Sequence, residues 1–401
     1  MIIVESNKEQ QEFLQRWNNE PSVIIPIWSD LEKHPMNNEL SFLFVMMGKY
    51  NFILIYNHID GKSHHLDLTT SEQPKWVWNK KGFLQMDTKI QNLFDISTYT
   101  FFDENRLLDF KPEEQPFITH YTRMGIRENL GKIAPLMKWG EYLTSFVNSF
   151  ELPTPNSSWM NNDVIPILSD IERYGVRVDG EKFLDRYPQA TKHLSNNTLY
   201  TEYNPYTITS RPSNRHGGIN FGALNKKDGS REVFIPRDGT MFLGMDYDAY
   251  HVRIIGKLIG YDLPKTSVHQ WLADQYGCSY EDSKGRTFRI LYGGVSEEDR
   301  SIPFFQKVDE FIQKLHIGSL ERGWIQTGKG RKIPIEWIEG LTPQKAFNYL
   351  LQATETEFNM EVILKLKVAD LPLPVLYLYD SFLFEYDLSW DTETAKGIKS
   401  V

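Results

Sequence analysis

Short apolar runs separated by polar breaks open the chain. Residues 23–28 (VIIPIW), 41–47 (SFLFVMM) and 51–57 (NFILIYN) read as buried strands, each nearly continuous in apolar residues and bounded by polar turns. The IDGKSHH turn after the third predicts hairpin-like connectivity. Helical periodicity follows in TKIQNLF and in NLGKIAPLMKWGEYLTSFVNSF. Residues 151–159, ELPTPNSSW, combine two prolines with polar residues and read as a domain linker. NNDVIPILSDIERYGVRVDGEKFLDRY then predicts a helix, a glycine stop and a second helix. Residues 194–238 have the Asn-, Gly-, Ser-, Thr- and Arg-rich composition of loops and short strands. TMFLGMDYDAYHVRIIGKLIG predicts a strand running into a helix. FFQKVDEFIQKLHI and PQKAFNYLLQATETEFNMEVILKLKVA predict helices, and PVLYLYDSFLFEYDL predicts a tight hairpin.

Composition narrows the class. A length of 401 residues has room for two or three domains, and 40% hydrophobic residues with 13% aromatics exclude a disordered chain. A net charge of −9 excludes a uniformly basic coat but leaves room for a local basic groove. The single cysteine, Cys278, excludes an internal disulfide and a cysteine-based zinc site, and predicts a reducing, cytoplasmic setting. The polar N-terminus does not read as a secretory signal. Gly48 and Lys49 interrupt SFLFVMMGKYNFILIY, which therefore reads as two strands and not as a membrane span.

Candidate chemistry lies in three places. Asp246 follows the apolar MFLGM, and Asp380 follows VLYLY at the hairpin tip. Carboxylates at strand ends suit hard divalent cations, and two on neighbouring strands could hold two ions about 4 Å apart for phosphoryl transfer. An isolated aspartate at a strand end is more often a turn former. In EDSKGRTFRILYGG, Lys284, Phe288 and Tyr292 recur at i+4 along one helix face, with Arg286 and Arg289 on the same segment. A cation, an aromatic plate and a phenol in line could hold a triphosphate and stack a base. The competing reading is an amphipathic helix with Phe288 and Tyr292 in the core.

These segments, in this order, resemble the family A DNA polymerases, the group of bacterial DNA polymerase I and several phage replicases. GMDYDAYHVR is similar to motif A, with Asp246 at a metal-binding aspartate and Arg253 seven residues on. KGRTFRILYGG is similar to motif B, and LYDSFLFE to motif C with Asp380 at the second metal-binding aspartate. TSR (Thr209 to Arg211), REVFIP, His269, the GWIQTGKGRKIPI hairpin, and Asn348 with Gln352 fall where the family has further landmarks. The likeness runs from about residue 160 to 390 and implies an α+β fold. It implies an RNase H-like exonuclease-type domain over 1–150, then palm and helical fingers. A reduced thumb and palm entry would take 160–208, the palm 209–260 and 336–401, and the fingers 261–335.

The resemblance further implies two Mg²⁺ ions on Asp246 and Asp380. Lys284, Phe288, Arg286, Arg289, Tyr292 and His251 would meet the incoming nucleotide, and Arg211, Arg253, Asn348 and Gln352 would meet DNA. Departures from the pattern are specific. Motif C reads Tyr379-Asp380-Ser381 where the family has His-Asp-Glu, and His251 replaces the glutamate that meets the sugar. Tyr280 stands where motif B usually has an arginine. The thumb interval shrinks to roughly 180–208, where Pro188, Pro205 and several Asn oppose long helices. Such a compact chain is expected to need a processivity factor or second subunit to grip primer–template DNA. The N-terminal domain offers Asp30 and Glu32, then Asp87, but Gln91, Ile133 and Met137 stand where further site residues belong, so an active exonuclease is not expected. A non-catalytic polymerase-like DNA-binding subunit is the alternative to the enzyme, and a nuclease resting on Asp30 and Glu32 is a third reading.

Overall fold

The computed structural model describes the chain apart from residues 64–65, 87–88, 153, 155–157, 215–218 and 226. It divides into two compact units. The first is Met1–Glu202 with two short stretches drawn from 215–235; the second is Tyr203–Asn214, Phe221–Ala223 and Pro236–Val401. The stretch 151–159, read as a linker, thus falls within the first unit, and its residues 153 and 155–157 lie outside the described ones.

The first unit is built on a six-stranded sheet. Its strands are β1 (Ile2–Ile3), β2 (Ser22–Trp28), β3 (Leu40–Met47), β4 (Tyr50–Ile55), β5 (Lys75–Val77) and β6 (Leu93–Asp95), in the spatial order β1-β4-β3-β2-β5-β6. β2, β3 and β4 form an antiparallel meander, and the other three add in parallel. The near-continuous apolar runs follow from coverage on both faces. Val23, Ile25, Phe42 and Phe44 pack with Trp139 and Leu143 of the helix Leu136–Val147. Their alternates Ile24, Leu43, Val45 and Phe52 pack with Phe13 and Trp17 of the helix Asn7–Trp17.

Three sequence expectations change here. After β4 the chain makes no hairpin: it crosses to the far side of β2, where β5 pairs in parallel, and a parallel neighbour needs more than a turn. His64 and His65 of IDGKSHH lie outside the described residues. Of TKIQNLF, read as a helix, Thr88 lies outside the described residues and the rest leads into β6, because Asn92 takes a left-handed backbone (φ +57°) and the next residue enters the sheet beside β5. The helix expected over NLGKIAPLMKWGEYLTSFVNSF is broken at Pro135 into Leu130–Ile133 and Leu136–Val147, since proline has no N–H to continue the ladder.

The helix Ile165–Tyr174 ends at Gly175, whose φ of +64° and crowding against Thr198 exclude a side chain. The strand Val176–Arg177 and the helix Gly180–Arg186 follow. The remainder of 180–208 is a single 3₁₀ segment, Pro188–His193, with two-residue strands, as its proline and asparagine content predicts.

The second unit carries a three-stranded antiparallel sheet of β7 (Thr240–Asp246), β8 (Leu376–Leu378) and β9 (Ser381–Asp387), ordered β7-β9-β8. Its helices are α1 (Tyr250–Ile259), α2 (Val268–Tyr276), α3 (Tyr280–Gly293), α4 (Pro303–Arg322) and α5 (Pro343–Val368). They share one core through Val252, Ile255, Leu272, Leu291, Phe305 and Leu351. GWIQTGKGRKIPI forms the expected hairpin, Trp324–Gln326 against Lys332–Pro334. A final helix, Thr392–Ser400, capped by Asp391, had no counterpart in the sequence reading.

Candidate active site

The register of the small sheet brings the two aspartates to one end. Asp246, the last residue of β7, lies opposite Ser381, the first of β9. Leu378 pairs with the same Ser381, so Tyr379 and Asp380 are the whole of the turn. Both carboxylates are exposed. A two-residue hairpin turn needs a positive φ, which glycine or asparagine usually provides. Here Tyr379 takes it, at φ +57°. The strained tyrosine is held on two sides: the Arg211 guanidinium lies 3.8 Å over its ring, and Asn359 Nδ2 donates to its carbonyl. The rigid hairpin thereby aims Asp380 outward. The donor set is two carboxylates of the kind hard cations take; among the described residues no group of three or more His, Cys, Asp or Glu forms a fuller metal site.

Helix α3 starts at a Ser279 cap, whose Oγ accepts from Asp282 N at 3.2 Å. Lys284, Phe288 and Tyr292 follow at i+4 spacing, and Lys284 is exposed. Phe288 is 37% exposed with its ring parallel to that of Tyr292, centroids 6.1 Å apart, so it is a surface plate and not core. Tyr292 is half-buried at the edge of the core. Burial pushes its hydroxyl up to about 12, helped by the negative charges of Glu355 and Asp380. Arg289 is exposed. Arg286 is engaged by Asp299 (2.7 Å) and Glu298 (3.1 Å) and lies over the Tyr276 ring. Arg253 also works inside the chain, donating to Asp248 O, Asp248 Oδ2, Pro264 O and Thr266 O at 3.0–3.1 Å. His269 is buried beside Phe288, and burial with the nearby Lys284 charge lowers its pKa.

Helix α5 adds what the sequence reading missed. Asn348 and Gln352 lie half-buried on it, and two further polar residues extend the same stripe at i+7 and i+11, Glu355 and Asn359. Both are fully buried. Glu355 Oε2 lies 3.3 Å from Arg211 Nη2 and 3.3 Å from His251 Nε2. The other ring nitrogen of His251 is hydrogen-bonded to the Tyr292 hydroxyl. Asn359 accepts from the Tyr250 hydroxyl at 2.7 Å and donates to the Tyr377 hydroxyl at 3.2 Å. Burial drives the pKa of Tyr250 and Tyr377 far up, so both stay protonated. The signal in the sequence was the spacing alone: Asn348, Gln352, Glu355 and Asn359 recur at intervals of three and four along one face of α5.

No family model matches the chain. DNA polymerase DpoZ of Vibrio phage phiVC8 is 24% identical over 217 residues, covering 40% of this chain and 34% of that polymerase. The chain thus spans about a third of the length of that curated relative. The POL domain of Pol1 from M. smegmatis, solved in complex with DNA primer-template and dNTP, superposes with a TM-score of 0.68. That superposition covers 100% of this chain and 95% of the other, at 12% identity. This chain has the POL-domain fold. The POL-domain fold is mixed α and β, as the sequence predicts, and among the described residues no helix is long and apolar enough to cross a membrane.

Proposed function

We propose that the chain is a template-directed DNA polymerase of the family A type, adding deoxynucleotides to a primer 3′-hydroxyl by two-metal phosphoryl transfer. The observation that carries this reading is the meeting of Asp246 and Asp380 at one end of β7 and β9. The polymerase identity of a relative and the primer-template and dNTP bound in the similar structure support it.

In this reading Asp246 and Asp380 hold a pair of Mg²⁺ ions, which when bound stabilise charge on the attacking and leaving oxygens. The chain's own groups orient the reactants, and most of the catalytic gain in phosphoryl transfer is positional and electrostatic. Lys284, with the exposed Arg289, neutralises the triphosphate; Arg286 supports α3 through Asp299. Phe288 stacks on the incoming base and Tyr292 borders it. Arg211 with Asn348 and Gln352 faces primer–template DNA, while Arg253 braces the loop after α1. Pairing with the template selects the base, so no side chain has to read sequence.

The first unit is proposed to be an RNase H-like, exonuclease-type domain without nuclease function. Its β4-β3-β2-β5-β6 order supports the fold. Asp30 Oδ1 accepts from the Glu32 backbone and its Oδ2 lies 3.7 Å from Lys33, while Glu32 pairs with Lys192 at 2.6 Å. Asp87 lies outside the described residues. The short elements over 180–208 are proposed to be a reduced thumb, with DNA grip completed by a processivity factor or second subunit.

Primer extension with four deoxynucleotides and Mg²⁺ tests the reading, beside Asp246→Asn and Asp380→Asn. Extension by the parent that falls at least about a thousandfold in either variant supports it, the scale on which groups stabilising transition-state charge act. DNA binding without extension, with or without added partner proteins, points to the non-catalytic subunit. Primer shortening without nucleotides points to a nuclease.

A further inference from the structure

Two carboxylates can share a pair of cations only if the distance between them is fixed. Each candidate aspartate adjoins a turn that holds no glycine and contains a left-handed residue: Tyr379 just before Asp380, and Ala249 three residues past Asp246. One buried side chain reaches both turns. Asn359 of α5 is fully buried. Its Nδ2 donates to the Tyr379 carbonyl and, at 3.2 Å, to the Tyr377 hydroxyl. A carbonyl only accepts, so this contact fixes which way the amide points and turns Oδ1 toward the Tyr250 hydroxyl, which donates to it at 2.7 Å. Tyr250 opens α1, and its ring stacks on that of Tyr247, the residue after Asp246, with centroids 4.0 Å apart. A single amide thus joins the residue before Asp380 to the first turn of the helix that follows Asp246. The edge strand β8 is pinned separately: the Tyr203 hydroxyl accepts from Tyr377 N and donates to Tyr377 O, both at 2.9 Å.

Resting on the polymerase reading, we propose that Asn359 is a positioning residue that sets the spacing of Asp246 and Asp380 by bridging Tyr250 to Tyr379. It touches neither carboxylate; it acts through the two turns that carry them. Asn359 uses both of its amide hydrogens and its carbonyl oxygen in a site closed to water, so neither turn can shift without leaving a buried polar group unpaired. Ser381 offers no second acid beside Asp380, so the geometry of the two aspartates has to be held from behind, by α5.

Mn²⁺ binding to the protein, followed by the EPR signal of the free ion, tests this beside single-nucleotide insertion of dCTP with kcat and KM determined separately. The proteins compared are the parent, Asn359→Leu, Tyr250→Phe, the double variant, and Ile325→Val, a core truncation in the separate cluster behind the Trp324–Gln326 strand. Asn359→Leu keeps the volume and removes the bridge. It is expected to weaken Mn²⁺ binding about tenfold, the scale on which outer-shell partners act, and to lower kcat about a hundredfold with the KM for dCTP near the parent's. Tyr250→Phe removes one arm of the bridge and should move both readouts in the same direction by less; it decides the matter alone if Asn359→Leu does not fold. The double variant should bind Mn²⁺ no more weakly than Asn359→Leu, since both changes cut one connection. Unchanged Mn²⁺ binding in Tyr250→Phe and Asn359→Leu, an equal loss in Ile325→Val, or additive losses in the double variant overturns the proposal and, where the parent extends a primer, leaves the polymerase reading standing. If the parent neither binds Mn²⁺ nor inserts dCTP, both fall together.

Discussion

A residue's surroundings decide which of its possible roles it takes. Phe288 and Tyr292 belong to one helix face, yet one is a surface plate and the other is half-buried under His251. A base stacked on an exposed ring gains about 1–3 kcal/mol, so Phe288→Ala is expected to raise the KM for each dNTP by about tenfold or more, with a smaller effect on kcat. Steady-state insertion kinetics check this; an unchanged KM would mean that the base rests elsewhere. The two arginines of α3 diverge for the same local reason. Arg286 meets two carboxylates within 3.1 Å, while Arg289 is exposed, although sequence spacing treats them alike.

At the scale of elements, the turns carry the strain that aims the site. Tyr379 and Ala249 both take left-handed backbone, at φ +57° and +49°, each within three residues of a candidate catalytic aspartate. Neither has a glycine's freedom, so packing around them must hold the conformation. Ala249→Gly relieves that strain and is expected to stabilise the protein by about 0.5–1 kcal/mol after the added flexibility of the unfolded chain is counted. A rise in thermal midpoint measured by calorimetry is the expected result; a fall would show that Ala249 is not strained. The element-level reading of the sequence succeeded for β7 into α1, for α4 and α5, and for the β8–β9 hairpin, where periodicity and length agreed. It failed at TKIQNLF, because a seven-residue apolar pattern cannot distinguish a short helix from an approach to an edge strand.

On the scale of whole units, the acid response of the first unit follows from a buried imidazole. His34 stacks on Tyr200 and is almost wholly buried; desolvation pulls its pKa down to about 3, with Lys81 and His193 acting in the same direction and Glu202 opposing them. Glu172 lies 4.0 Å from its Nε2. The folded pKa is below the unfolded value, so between about 6.5 and 3 the unfolded chain binds the extra proton. Stability from this group is therefore complete above pH 6.5 and lost as pH falls toward 3, by up to about 1.4 kcal/mol per pH unit. Denaturant unfolding at pH 7, 6 and 5 should show that slope, and His34→Gln should flatten it. An equal slope in both proteins would assign the acid response to other groups.

Local sequence alone determined most elements and the placing of Asp246 and Asp380 at strand ends, because period, caps and turn residues act over a few positions. Lys284, Phe288 and Tyr292 were legible for the same reason: helical spacing places them on one face whatever surrounds the helix. Which faces meet is not local. That Asp246 and Asp380 share a sheet end depends on a register joining residues 246 and 381. That Arg253 and Arg286 are engaged within the chain depends on acceptors brought from Thr266 and Asp299. Glu355 illustrates the limit most clearly. In sequence it is one acid in TETEF; only packing on three elements removes it from water and places His251, Arg211 and, through them, Tyr292 and Tyr379 around it. A buried charge takes its function from the partners that compensate it, and those partners are chosen by tertiary structure.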